Sequence, residues 1–178
     1  MIGNNAPIAV VRGRTGAEVQ DVFRIFVERW RGSARLAGLV AENHDLPDRA
    51  CSAGFLRNIA TGERFSIFED LGPGSTACHL DGLGAVRAAA SVERDIAAGC
   101  DLVLLSKFGK LEAGGEGLFP AFKTAVDAGI PLLTSVPLAF EEPWKKIIGR
   151  SITVLSADPD AIRAWWQAAR QERHRSVA

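Results

Sequence analysis

Residues 101–106, DLVLLS, form an apolar run too short for a helix and too uniformly apolar for a strand with one face in water. Such a run fits a strand buried on both faces of a parallel sheet, and parallel strands need long crossover segments between them. The rest of the chain supplies both parts. Residues 7–12 (PIAVVR), 36–41 (LAGLVA), 130–136 and 152–155 read as further strands. Val19, Val22, Phe23, Phe26, Val27 and Trp30 recur at helical spacing, with Thr15 as N-cap, Glu18 in capping-box register and Gly32 as stop. Further helices are expected at residues 84–98, 119–128, 144–148 and 159–173, while residues 53–59 and 64–68 flank a turn as a β-hairpin. The order predicts an α/β fold: a three-layer, mostly parallel open sheet with helices on both faces and a β-hairpin insertion, one domain over residues 1–178.

Composition removes several function classes. Lys+Arg and Asp+Glu are 21 each in 178 residues, so no global field steers the chain to nucleic acid or an anionic membrane. No apolar run approaches the ~20 residues of a membrane span, and charge enters the first residues too early for a signal peptide. A cytoplasmic protein is expected. Cys51, Cys78 and Cys100 lack CxxC spacing, which argues for reduced thiols.

In open parallel sheets, ligands bind at the carboxyl ends of the strands. A phosphate loop there needs G-x-x-x-x-G-K-[ST], in which backbone N–H groups wrap phosphate, lysine neutralises it and the hydroxyl binds magnesium. The first loop instead reads Arg12-Gly13-Arg14-Thr15-Gly16-Ala17-Glu18, without lysine and with a carboxylate on the first helical turn. It is either a remodelled anion site or an ordinary strand-to-helix turn. After the central strand, hydrolytic phosphate-loop proteins place an acid that orders magnesium. Here Ser106 and Lys107 follow, with Lys110 beyond Gly109, a local positive patch suited to an anion.

The turn-rich loop at residues 70–84 is a third candidate. Gly72, Gly74, Ser75 and Thr76 could offer donors to an oxyanion. Cys78, His79 and Asp81 contain metal-ligating atoms, but their spacing matches no specific metal motif, and no organic cofactor signal is evident. Cys51 with His44, and Ser135 after a strand, lack an orienting acid or base at a recognisable spacing.

The run DLVLLSKFGKLE at residues 101–112, followed by Gly114-Gly115-Glu116-Gly117, resembles the hallmark of a bacterial family, domain of unknown function 2478. Cys78-His79-Leu80-Asp81, residues 129–134 (GIPLLT) and Trp144 fit the same pattern. That family looks like a degenerate branch of the small thermophile-type P-loop nucleoside triphosphatases, whose central strand ends D-E-I-G-x-M-E. Phe108 to Glu112 keep that frame with Glu112 at its last acid, while Ser106 and Lys107 replace the first two acids. The resemblance implies a P-loop NTPase-like fold and a link to molybdate-related proteins. The combined expectation is a non-hydrolytic protein binding a nucleotide, phosphate or molybdate-like oxyanion through Arg12, Gly13, Arg14, Thr15, Gly16, Gly74, Ser75, Thr76, Lys107 and Lys110. Its rivals are a residual triphosphatase with Glu112 as the acid, and a protein-interaction module or homodimer using Trp144, Trp165 and Trp166.

Overall fold

The computed structural model describes residues 6–48, 53–74, 81–149 and 152–177. Among those residues there are seven strands: β1 (Ile8–Arg12), β2 (Leu36–Asn43), β3 (Ala53–Asn58), β4 (Arg64–Ser66), β5 (Leu102–Leu105), β6 (Leu132–Thr134) and β7 (Thr153–Ser156). They form one sheet in the order β4-β3-β2-β5-β6-β1-β7. Strands β2, β5, β6, β1 and β7 run parallel, and β3 and β4 add an antiparallel edge. The hairpin thus extends the sheet from β2 outward.

Every residue of β5 and β6 is buried, as expected for strands covered on both faces. On one face, Ala9, Val11, Leu102, Leu104 and Leu133 pack against α1 (Gly16–Trp30) and α6 (Pro159–Val177). On the other, Val10, Val103, Leu105 and Leu132 pack against α2 (Gly82–Ala98), α4 (Phe119–Asp127) and α5 (Glu141–Ile148). The period-two alternation along β1 and β5 divides their side chains between the two layers.

Trp165 and Trp166, 9% and 1% exposed, lie in the core, where Trp166 meets Phe26 edge-on at 6.3 Å. Trp144 is 1% exposed. These three tryptophans therefore fill the interior. Cys100, just before β5, is a buried free thiol, and burial pushes its pKa up to about 11, which keeps it protonated and unreactive near neutrality. Among the described residues, no helix is long and apolar enough to cross a membrane.

Several boundaries shift by a few residues, and α5 begins at Glu141 where the helix was expected from residue 144. The strand expected at 130–136 pairs only over Leu132–Thr134, and the loop expected after β5 contains a one-turn helix, α3 (Lys110–Ala113). Gly109 and Glu112 carried the signal for that turn, because a carboxylate three residues after an N-cap can accept the cap's N–H.

Gly38 shows how closely β2 and β5 approach. Its φ is +126°, and an added Cβ would lie 1.8 Å from the Leu104 carbonyl oxygen. Gly38→Ala is expected to destabilise the fold by about 3 kcal/mol or more. Urea denaturation checks this, and a loss below about 1 kcal/mol would contradict the β2–β5 packing described.

Candidate functional site

The chain leaves β1 for α1 on one face of the sheet and leaves β6 for α5 on the other, although β1 and β6 are neighbours. Connections diverging from adjacent strands open a crevice at their carboxyl ends. Phe108 excepted, the first, second and third strand-end loops, at residues 12–17, 106–112 and 135–138, all contribute to one broad depression, which continues along the sheet as far as Cys100.

The first loop is held by its own side chains. The Thr15 hydroxyl accepts the Glu18 N–H at 3.2 Å, which is the N-cap anticipated from sequence. The reciprocal bond differs from a capping box, since Glu18 Oε2 accepts the Arg14 N–H at 2.7 Å rather than that of Thr15. Glu18 Oε1 also lies 3.6 Å from the Arg14 guanidinium. A carboxylate therefore already holds one backbone donor of this loop. A Cβ on Gly13 would meet Glu18 and Val19 at 3.0 Å, so glycine permits this tight closure.

Arg12 is also engaged. Its Nη2 lies 2.9 Å from Glu141 Oε2 on α5, while Lys145 Nζ lies 2.9 Å from Glu141 Oε1. The Lys145 ammonium, together with the Arg12 guanidinium, holds the Glu141 carboxyl below its ordinary value. The pair stabilises above the usual carboxylate range, and its contribution is lost as acid titrates Glu141. Arg12 Nε is buried without an acceptor among the described residues.

The second loop alternates inward and outward. The Ser106 hydroxyl, on a residue 3% exposed, donates to Gln20 Oε1 on α1 at 2.8 Å. Phe108 is fully buried, with ring centroids 5.6 Å from Phe122 and 5.1 Å from Trp144. Burying that ring is worth roughly 1.5–3 kcal/mol. The Phe108 N–H donates to the Ser135 carbonyl at 3.1 Å, joining the second and third loops. Lys107 and Lys110, on either side of this anchor, are exposed and have no carboxylate partner among the described residues.

Glu112 is 6% exposed, and its oxygens accept the Gly109 and Leu118 N–H groups, both at 2.9 Å. Gly117, at φ +60°, passes so close that a Cβ would meet Glu112 Oε1 at 2.5 Å. The arrangement makes Glu112 the clamp of the loop and of the Gly114 to Gly117 turn behind it.

The third candidate divides. Asp81 is the N-cap of α2, its Oδ1 accepting the Leu83 N–H at 2.9 Å. The Gly72 N–H donates to Asp70 at 3.0 Å and that of Gly74 to the Asp48 carbonyl at 3.4 Å. Ser75, Thr76, Cys78 and His79, like Cys51, lie outside the described residues. Among the described residues, no group of three or more His, Cys, Asp or Glu is placed to hold a metal ion. Sequence reasoning missed Gln20 and Glu141. Gln20 carried a faint signal, a polar residue directly after Val19 on the helix turn nearest the crevice.

A parallel five-strand core within an open sheet, helices on both faces and strand-end loops converging on one crevice define an α/β protein built like a phosphate-loop nucleoside triphosphatase. The chain belongs to the family described as Protein of unknown function (DUF2478), whose profile matches residues 8–165. It is also 37% identical over 149 residues to a protein from Bradyrhizobium diazoefficiens described as Molybdenum import ATP-binding protein ModC 2. The match covers 82% of this chain and 16% of that protein, so the chain spans about one-sixth of its relative. No solved structure matches.

The clamp supplies a direct test. Glu112→Gln presents an amide N–H₂ where an acceptor is needed, and should destabilise by about 1–3 kcal/mol. Thermal or urea denaturation reads the change; unaltered stability would remove the structural role given to Glu112.

Proposed function

We propose that the chain is a non-hydrolytic binding protein for a small anion of the nucleotide or oxyanion class, accessory to molybdate metabolism. The observation that carries this reading is the second loop, where Lys107 and Lys110 stand unpaired at the crevice while the one acid of the frame, Glu112, is committed to backbone amides. The first loop adds less than its sequence suggests, because Arg12 pairs with Glu141 and the Glu18 carboxylate already takes the Arg14 N–H, although the Arg14 guanidinium stays exposed. Anion recognition thus moves from the first loop towards the second.

The molybdate connection is drawn from the relative's name, and the ATP in that name belongs to a protein of which this chain matches only one-sixth. A triphosphatase reading would require Glu112 to leave its two N–H donors before it could order water or metal. This reading therefore predicts no magnesium-dependent phosphate release from ATP or GTP.

An exposed lysine at contact contributes about 1 kcal/mol or less, so two lysines alone give weak binding and neutral donors must add to them. Thermal-shift titrations with ATP, GTP, phosphate and molybdate test the proposal. At about 100-fold excess over Kd, the bound state gains about 2.7 kcal/mol, a rise of several degrees in Tm. That rise should shrink in Lys107→Ala and in Lys110→Ala. No stabilisation by any of the four at millimolar concentration would sink the proposal.

A further inference from the structure

We infer that Gln20 is an anion ligand, and that the Ser106–Gln20 pair makes this crevice a site for a small tetrahedral oxyanion bound without a divalent cation. The inference rests on the anion-binding reading above and narrows its ligand class.

Hydrolytic phosphate-loop proteins hold magnesium between a hydroxyl from the first loop and helix and an acid at the end of a central strand. Here those two elements meet through a neutral contact, the Ser106 hydroxyl donating to Gln20 Oε1 at 2.8 Å. Magnesium demands oxygen ligands and is usually held by at least one carboxylate. The three carboxylates nearest these loops are already engaged: Glu18 by Arg14, Glu112 by Gly109 and Leu118, and Glu141 by Arg12 and Lys145. The crevice offers a metal little.

It offers an oxyanion more. Ser106 is 3% exposed, so its hydroxyl needs an acceptor inside the protein, and Gln20 Oε1 provides it. That bond fixes the amide's orientation and leaves the two Nε2 N–H groups without an acceptor among the described residues. Lys107 directly follows Ser106, and Lys110 opens α3 three residues on, so both lysines lie on the loop that Gln20 contacts. Beside Ser106, the unpaired polar groups of these loops and of Gln20 include three donors: the ammonium groups of Lys107 and Lys110 and the Gln20 amide N–H₂. The described residues lining the depression include no aromatic side chain to stack on a nucleobase. Donors without a stacking surface fit a compact dianion such as phosphate or molybdate.

Isothermal titration calorimetry on the full chain, with sodium molybdate, with inorganic phosphate and with ATP, each in EDTA and in magnesium chloride, tests the inference. Gln20→Glu keeps an acceptor for Ser106 but replaces the donors with negative charge, and Gln20→Met removes the polar group at similar volume. The wild type should bind at least one oxyanion with the same Kd in both media, and the tighter one identifies the preferred ligand. Both variants should bind roughly tenfold more weakly or worse. A magnesium requirement, wild-type affinity in both variants, or binding of ATP but of neither oxyanion would overturn this inference while leaving the broader anion-binding reading intact. Failure of the wild type to bind any of the three in either medium would remove that reading as well.

Discussion

The buried Glu112 carboxylate is the constraint on which the candidate site depends. By accepting the Gly109 and Leu118 N–H groups, it closes residues 109–118 into one unit and starts α3. A buried carboxylate is costly unless charge-assisted hydrogen bonds compensate it, and here each oxygen has a backbone donor. With Phe108 driven into the aromatic cluster beside it, the loop has two fixed points. Lys107 and Lys110 are consequently displayed outward on a supported loop. The acid that resembled a catalytic residue in sequence is bound to the backbone of the same loop.

The first loop follows a similar logic with a different outcome. Glu18 accepts the Arg14 N–H at the start of α1, a position that favours negative charge because helix N-termini carry unpaired N–H groups and a positive dipole end. In a triphosphate-binding loop, a ligand phosphate would use such donors. The internal carboxylate satisfies one and repels a second anion from the same spot. The two loops therefore differ: the first has an internal carboxylate on one of its backbone donors, and the second carries two lysines without a carboxylate partner among the described residues.

Most of the architecture was legible in the sequence, because buried parallel strands and amphipathic helices write their periods directly into DLVLLS and into Val19 to Trp30. The hairpin was legible through its turn residues. Thr15 as N-cap and the inward core helices followed from local rules. What sequence could not supply were contacts between residues far apart in the chain. The pairing of Arg12 was hidden because Glu141 is distant in sequence, and Glu18, legible as a cap and as a carboxylate on the first helical turn, gave no sign that it takes the Arg14 N–H. Gln20 passed unnoticed because its partner, Ser106, lies on another element. The role of Glu112 depended on the return of the chain at Leu118, which no spacing rule specifies.

We place anion recognition at the second loop rather than the first. A crystal structure grown with molybdate, with anomalous diffraction used to locate molybdenum, decides between the two. The expected peak lies in the crevice beside Lys107, Lys110 and Gln20. A peak at the first loop instead, with the Glu18 carboxylate displaced from the Arg14 N–H, would contradict that placement.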